Sequence, residues 1–261
     1  MNSKPIYSIK NGTKKLGKKI NINIYVLPNL FTTANMFFGF YAIIHSIKGE
    51  FVISCHAIVA AAIFDLLDGR VARMTNSTSE FGAEYDSLSD IVSFGMAPAI
   101  LLYLWALQPF GRIGWLASFF YVACGGLRLA RFNVAKKVSD PAYFEGLPIP
   151  MAAGIVASSV LAFTDLQLES LKSYPLLAMT ILLSIVMVSN FNYRSFKDLD
   201  FKQRLPFSYL VFGVFIFAAV AYRPEVTLFF VFLTYALLGA IFGVFRLGRK
   251  NLTEVNEIEE G

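Results

Sequence analysis

The chain has 261 residues, of which 56% are hydrophobic and only 16% charged, with a mean hydropathy of +0.57 and a formal net charge of +5. A water-soluble domain carries roughly 25% charge, and 26 Phe with 12 Tyr on a water-facing exterior would drive aggregation. Composition therefore excludes a soluble globular protein and points to an integral membrane protein.

In chain order, residues 1–23 form a basic arm with Lys10, Lys14, Lys15, Lys18 and Lys19. The arm reads either as a basic helix on an anionic leaflet or as a solvated tail that sets topology. It lacks a short apolar core with a small-residue cleavage site, so the first span is expected to stay in the mature protein. Nucleic-acid binding is a poor reading, because these lysines sit beside the membrane without interleaved stacking aromatics.

Residues 24–246 are expected to form an all-α transmembrane domain of about eight helices. Apolar stretches able to cross about 30 Å of hydrocarbon run from Ile24 to Ile47, Phe51 to Arg73, Asp86 to Leu107, Ile113 to Asn133, Ile149 to Thr164, Tyr174 to Asn190, Phe207 to Tyr222 and Val226 to Phe245. Residues 247–261, with Glu254, Glu257, Glu259 and Glu260, read as a disordered acidic tail. Placing both termini in the cytoplasm leaves only Lys48, Arg112, Lys172 and Arg223 on the opposite side, so the positive-inside rule orients the bundle. Cys55 and Cys124 lie in apolar stretches without ligand-like spacing and read as buried small hydrophobes. His45 and His56 fall near the outer ends of the first two spans and read as satisfied interfacial residues, while Trp105 and Trp115 flank the outer loop as interfacial anchors.

The second span ends in Asp65-Leu66-Leu67-Asp68-Gly69-Arg70-Val71-Ala72-Arg73, and the third opens with Asp86-Ser87-Leu88-Ser89-Asp90. Asp65 and Asp68 are i,i+3 on one helix and Asp86 and Asp90 are i,i+4 on the next, so each pair projects from one face. An antiparallel hairpin lets the two faces converge. Asp65 lies roughly 12 Å inward of Arg73 at 1.5 Å per residue, and each carboxylate at mid-membrane costs about 2.5–3.5 kcal/mol without compensation. Arg70 and Arg73 offer two charges, whereas one or two divalent cations would neutralise the cluster through hard oxygen ligands. Salt bridging and helix capping remain the plainer reading for any single acid, but not for four at paired helical spacing. Gly69, with Ala72 and Gly82, keeps the adjoining surface small enough for a phosphate or nucleotide to reach the backbone.

Asp65-x2-Asp68-Gly69-x2-Ala72-Arg73-x8-Gly82-x3-Asp86-x3-Asp90 resembles the signature of the CDP-alcohol phosphotransferase family without a departure. The resemblance implies transfer of a substituted phosphate from a CDP-linked donor to an alcohol, with release of CMP. It implies that Asp65, Asp68 and Asp86 bind a divalent cation, Mg²⁺ or Mn²⁺, and that Asp90 adds to the metal site and acts as general base. Gly69, Ala72 and Arg73 would line the cytidine diphosphate pocket. A metal-supported in-line displacement agrees with the residue-level reading.

Three further stretches resemble the phosphatidylserine synthase branch of that family: Leu27-Pro28-Asn29-Leu30-Phe31-Thr32-Thr33-Ala34-Asn35-Met36-Phe37-Phe38-Gly39, Gly125-Gly126-Leu127-Arg128-Leu129-Ala130-Arg131-Phe132-Asn133, and Gly146-Leu147-Pro148-Ile149-Pro150. The implied donor is CDP-diacylglycerol and the implied acceptor L-serine. Arg128 and Arg131, i,i+3 at a helix end, suit bidentate grip of a serine carboxylate, with Asn133 beside them. Positive-inside anchoring and a helix-dipole contact explain the same arginines without a ligand. Asn29, Thr33 and Asn35 offer uncharged hydrogen-bonding groups for cytidine or pyrophosphate oxygens, although Asn29 after Pro28 also suits a helix cap. Family resemblance further suggests a homodimer in the cell inner membrane with its site open to the cytoplasm. The rival readings are the same chemistry with glycerol 3-phosphate, inositol or its phosphate, or choline, and, from another class, a carboxylate-based transporter.

Overall fold

A computed structural model describes residues 22–75, 77–136, 144–168, 173–189, 192–193, 213–214 and 222–239. The basic arm before Ile22, the tail 247–261, the loop with Lys137 and Asp140, Lys172, and most of the expected span Phe207 to Tyr222 lie outside the described residues.

The described chain is helical. Helices α1 (Ile22–Ile47) and α2 (Phe51–Met74) form an antiparallel hairpin. The turn between them runs through Gly49 at φ +79°, a left-handed value that favours glycine. Ser46 and Ser54 hydroxyls meet at 2.8 Å across it, and the His45 ring pairs with the Glu50 carboxylate while packing on Tyr41. Helix α3 (Glu80–Phe110) starts where Ser79 accepts a hydrogen bond from the Gly82 amide, an N-cap reinforced by Glu80 in the first turn. It begins earlier than the expected Asp86, because this cap extends the helix over polar residues that hydropathy alone leaves out. Its ladder widens to i→i+5 spacing at Ile91–Met96 and again at Tyr103–Leu107. Helix α4 (Arg112–Lys136) follows a turn at Gly111, and α5 (Ile149–Asp165), α6 (Tyr174–Val188) and α7 (Pro224–Gly239) are shorter. The starts of α5 and α6 both carry proline in the first turn, where no intrahelical donor is lost.

Among the described residues, four helices, α1 to α4, are long and apolar enough to cross a membrane, and α5, α6 and α7 are shorter apolar helices. Helix α3 is the most deeply buried of the four and α1 the least. Phe94, Leu101 and Leu102 of α3 pack with Ile149, Ile155, Val156 and Val160 of α5 in a continuous core. Exposed Phe37 and Phe40 of α1 and Phe119 and Leu127 of α4 form the outer surface that a lipid environment solvates. Small residues set the closest approaches. A Cβ on Gly39 would overlap Ser93, so glycine brings α1 against α3.

Trp105 departs from the expected interfacial anchor. It is 7% exposed and packs edge-on against Phe163 with centroids 5.6 Å apart, whereas Trp115 is exposed as an anchor would be. Cys55 and Cys124 are buried free thiols.

A two-stranded ribbon, β1 (Phe144–Glu145) antiparallel to β2 (Asn192–Tyr193), joins the approach to α5 with the exit from α6. Arg223, just before α7, pairs with Asp165 at the end of α5 at 3.1 Å.

Candidate metal centre and acceptor site

Antiparallel connection places the end of α2, the start of α3 and the end of α4 at one end of the bundle. There Asp65, Asp68 and Asp86 each present a carboxylate oxygen, all within 4.8 Å of one another. Three hard anionic oxygens at this spacing fit a divalent cation of the Mg²⁺ or Mn²⁺ type. Asp90, one turn deeper on α3, stands outside that group of three. Convergence follows from the i,i+3 and i,i+4 spacings, and from an α2–α3 turn short enough to keep the two helix ends side by side.

Helix α1 supplies supporting contacts that motif spacing does not reveal. The buried Thr32 hydroxyl donates to Asp68 Oδ2 at 2.9 Å and lies 3.2 Å from the Pro28 carbonyl oxygen. Asn35, 0% exposed, donates from Nδ2 to Asp90 Oδ1 at 3.2 Å. Asn35 thus faces the acids, not a nucleotide in the open mouth. Two serines of α3 lock the register of these contacts: Ser89 donates to the Thr32 carbonyl and Ser93 to the Asn35 carbonyl, each at 3.0 Å. The widened turn begins directly after Asp90, and such turns shift which face of a helix a side chain occupies. The signal available beforehand was polarity alone, in serines and threonines recurring within apolar spans.

The residues expected at the nucleotide lie at the rim. A Cβ built on Gly69 would meet the Arg73 guanidinium at 3.5 Å, an ordinary contact with a flexible group. Packing within the chain therefore does not demand glycine there, and its absent side chain leaves backbone open to approach from outside. Gly82 is tighter, since a Cβ would sit 3.1 Å from Ser79 Oγ and 3.5 Å from Asn29 Oδ1. It permits the α3 cap and brings α1 against it. Thr33 is exposed, donates to the Asn29 carbonyl at 2.7 Å and meets the Tyr85 hydroxyl at 3.0 Å. Ala72 is half-buried.

The three α4 residues expected at serine separate. Arg128 is 7% exposed, and its Nε has no hydrogen-bond partner among the described residues. Arg131 instead donates from Nη1 to the Val188 carbonyl and from Nη2 to the Ser189 carbonyl, both at 3.1 Å. It clamps the end of α4 to the carbonyl end of α6, where a cation is favoured. Gly146, at φ +79°, fits beneath this clamp, since a Cβ would come within 3.2 Å of Arg131 Nη2. Asn133 donates to Ser87 Oγ at 2.9 Å and to Glu84 at 3.4 Å, fixing α4 to the helix that carries Asp86 and Asp90.

Residues 25–191 match the sequence model of the CDP-alcohol phosphatidyltransferase family. The chain is 42% identical over 195 residues, 74% of its length, to a CDP-diacylglycerol–serine O-phosphatidyltransferase of Helicobacter pylori, 82% of which is covered. An archaetidylserine synthase of Methanothermobacter thermautotrophicus is 39% identical over 178 residues, covering 67% of this chain and 72% of that protein. A CDP-diacylglycerol–serine O-phosphatidyltransferase of Saccharomyces cerevisiae is 38% identical over 144 residues, about half of each chain.

Proposed function

This chain belongs to the CDP-alcohol phosphatidyltransferase family, and from that membership we propose that it transfers the phosphatidyl group of CDP-diacylglycerol to the hydroxyl of L-serine, giving phosphatidylserine and CMP. The carboxylate triad facing Asp90 carries the proposal for the chemistry. The names of the relatives and the buried, unpaired Arg128 Nε carry it for the acceptor.

Asp65, Asp68 and Asp86 would hold a divalent cation, Mg²⁺ or Mn²⁺. When bound, it supplies neutralisation of the diphosphate and stabilises charge on the departing oxygen. Gly69, Ala72 and Arg73, with Asn29, Thr33 and Gly82 at the rim, receive the CDP headgroup. Arg128 takes the serine carboxylate, while Arg131 and Asn133 hold α4 so that Arg128 stays aimed at the site. Asp90 accepts the serine hydroxyl proton as that oxygen bonds to the phosphorus bearing diacylglycerol. The bond from this phosphorus to the bridging oxygen breaks, and CMP leaves with that oxygen.

We place residues 24–246 across the cell inner membrane as eight spans, with both the arm 1–23 and the tail 247–261 in the cytoplasm and the acidic mouth open to it. The charge bias supports this orientation, and family resemblance supports a homodimer. The deciding experiment is CMP release from CDP-diacylglycerol in detergent or vesicles, with and without L-serine, and with product identification. CMP and phosphatidylserine should appear together and only with serine. Equal or greater turnover with glycerol 3-phosphate or inositol would overturn the acceptor assignment, and absence of CMP release with every acceptor would overturn the reaction.

A further inference from the structure

Two buried polar atoms, on helices α1 and α4 that both pack against α3 just beyond Asp90, lack partners among the described residues. One is Oδ1 of Asn35 on α1, an acceptor, and the other is Nε of Arg128 on α4, a donor. The orientation of the Asn35 amide follows from chemistry: its NH₂ group faces the Asp90 carboxylate at 3.2 Å, and reversing it would set oxygen against oxygen. The Asn35 backbone carbonyl is already engaged by Ser93 Oγ, so the side chain is not free to slide along α1. A buried acceptor without a donor is destabilising. Holding Asp90 accounts for the NH₂ half of this amide and leaves the carbonyl half unexplained.

Serine carries three groups that match this arrangement: a hydroxyl for Asp90, a carboxylate for Arg128, and an ammonium that donates hydrogen bonds and carries positive charge. Glycerol 3-phosphate and inositol bring no cation, and ethanolamine and choline bring no carboxylate. Resting on the serine-transfer reading, we propose that Asn35 is a specificity-determining residue whose side-chain carbonyl oxygen accepts a hydrogen bond from the acceptor's α-ammonium group. The amide thereby serves twice, orienting Asp90 through nitrogen and selecting an amino acid through oxygen. Rejection of acceptors with no donor at that position then follows, since they would leave a buried acceptor unpaired, and an ammonium is favoured over a neutral hydroxyl as the charged donor.

The test uses the full-length protein with CDP-diacylglycerol and varied L-serine, with 3-hydroxypropionate as a competitor that keeps hydroxyl and carboxylate but has no donor in place of the ammonium. Wild-type synthesis of phosphatidylserine is the control for the underlying reading; without it, that reading fails before Asn35 is examined. In Asn35→Ala the KM for serine should rise about tenfold or more, as expected for losing a hydrogen bond to a charged group, while inhibition by 3-hydroxypropionate is unchanged. In Asn35→Asp, which keeps an oxygen and loses the NH₂ donor, the serine KM should stay close to wild type, kcat should fall, and 3-hydroxypropionate should inhibit less. A rise in temperature of unfolding on adding CDP-diacylglycerol shows that each variant is folded, and either variant decides alone. A serine KM unchanged in Asn35→Ala would overturn the proposal and reduce Asn35 to a positioning residue for Asp90. So would serine binding weakened as much as 3-hydroxypropionate binding in Asn35→Asp.

Discussion

Thr32→Val isolates the contribution of α1 to the metal centre. Threonine and valine share shape and β-branching, so α1 keeps its backbone and only the hydroxyl is lost. That hydroxyl has one proton, and at 2.9 Å the Asp68 carboxylate is a nearer acceptor than the Pro28 carbonyl at 3.2 Å. A hydrogen bond to a charged group contributes about 1.5–3 kcal/mol, and the low end corresponds to about tenfold in an equilibrium constant. Partners that orient metal ligands typically change affinity by about 10–100-fold, so two independent routes meet near a factor of ten. The concentration of Mg²⁺ or Mn²⁺ giving half-maximal CMP release should therefore rise about tenfold, with kcat at saturating cation close to wild type. Titration of activity with each cation, after stripping with EDTA, measures it. An unchanged half-activating concentration accompanied by a lower kcat would refute the reasoning, because Asp68 would then be either held without Thr32 or not a ligand.

Asp86→Asn should remove activity at any practical cation concentration, and EDTA should silence the wild type; undiminished turnover in excess chelator would exclude a metal centre. Asp90→Asn should lower kcat by about 10²–10⁴-fold, the usual contribution of a general base, with little effect on the KM for CDP-diacylglycerol, as read from steady-state kinetics with each substrate varied. Arg131→Lys cannot satisfy the Val188 and Ser189 carbonyls together from a planar fork, so it should lower the temperature of unfolding in detergent while the serine KM changes little; a large KM rise at unaltered stability would return Arg131 to the serine pocket. Impermeant thiol labelling of intact cells should modify a Lys48→Cys variant and spare Thr78→Cys, and the reverse pattern would invert the proposed orientation.

Much of the site was legible because helical spacing is geometry. Once α2 and α3 are adjacent antiparallel helices, Asp65, Asp68 and Asp86 have few ways not to converge, and they lie within 4.8 Å. Hydropathy likewise identified α1, α2 and α4 within a few residues, since the cost of polar side chains in hydrocarbon acts residue by residue. It misplaced the start of α3 because the Ser79 cap is a local hydrogen-bond feature that hydropathy averages away. Trp105 was misread for a related reason: its distance along the chain from the outer loop says nothing about which face of α3 it occupies. That face is set by the widened turns, which rotate it onto Phe163.

Long-range pairings required the folded chain. No local pattern tells that Thr32 serves Asp68, that Asn35 serves Asp90, or that Arg131 leaves the acceptor site for the end of α6, because each joins residues separated by 36, 55 and 57 positions. The amino-acid sequence by itself determined the membrane setting, the paired acids and the kind of ion they suit, all consequences of composition and helical period. Only the tertiary structure decided which polar groups hold those acids and which of two neighbouring arginines is held by the carbonyls at the end of α6, because hydrogen-bond partnership depends on helix register, and register is set where Gly39 lets α1 and α3 close together.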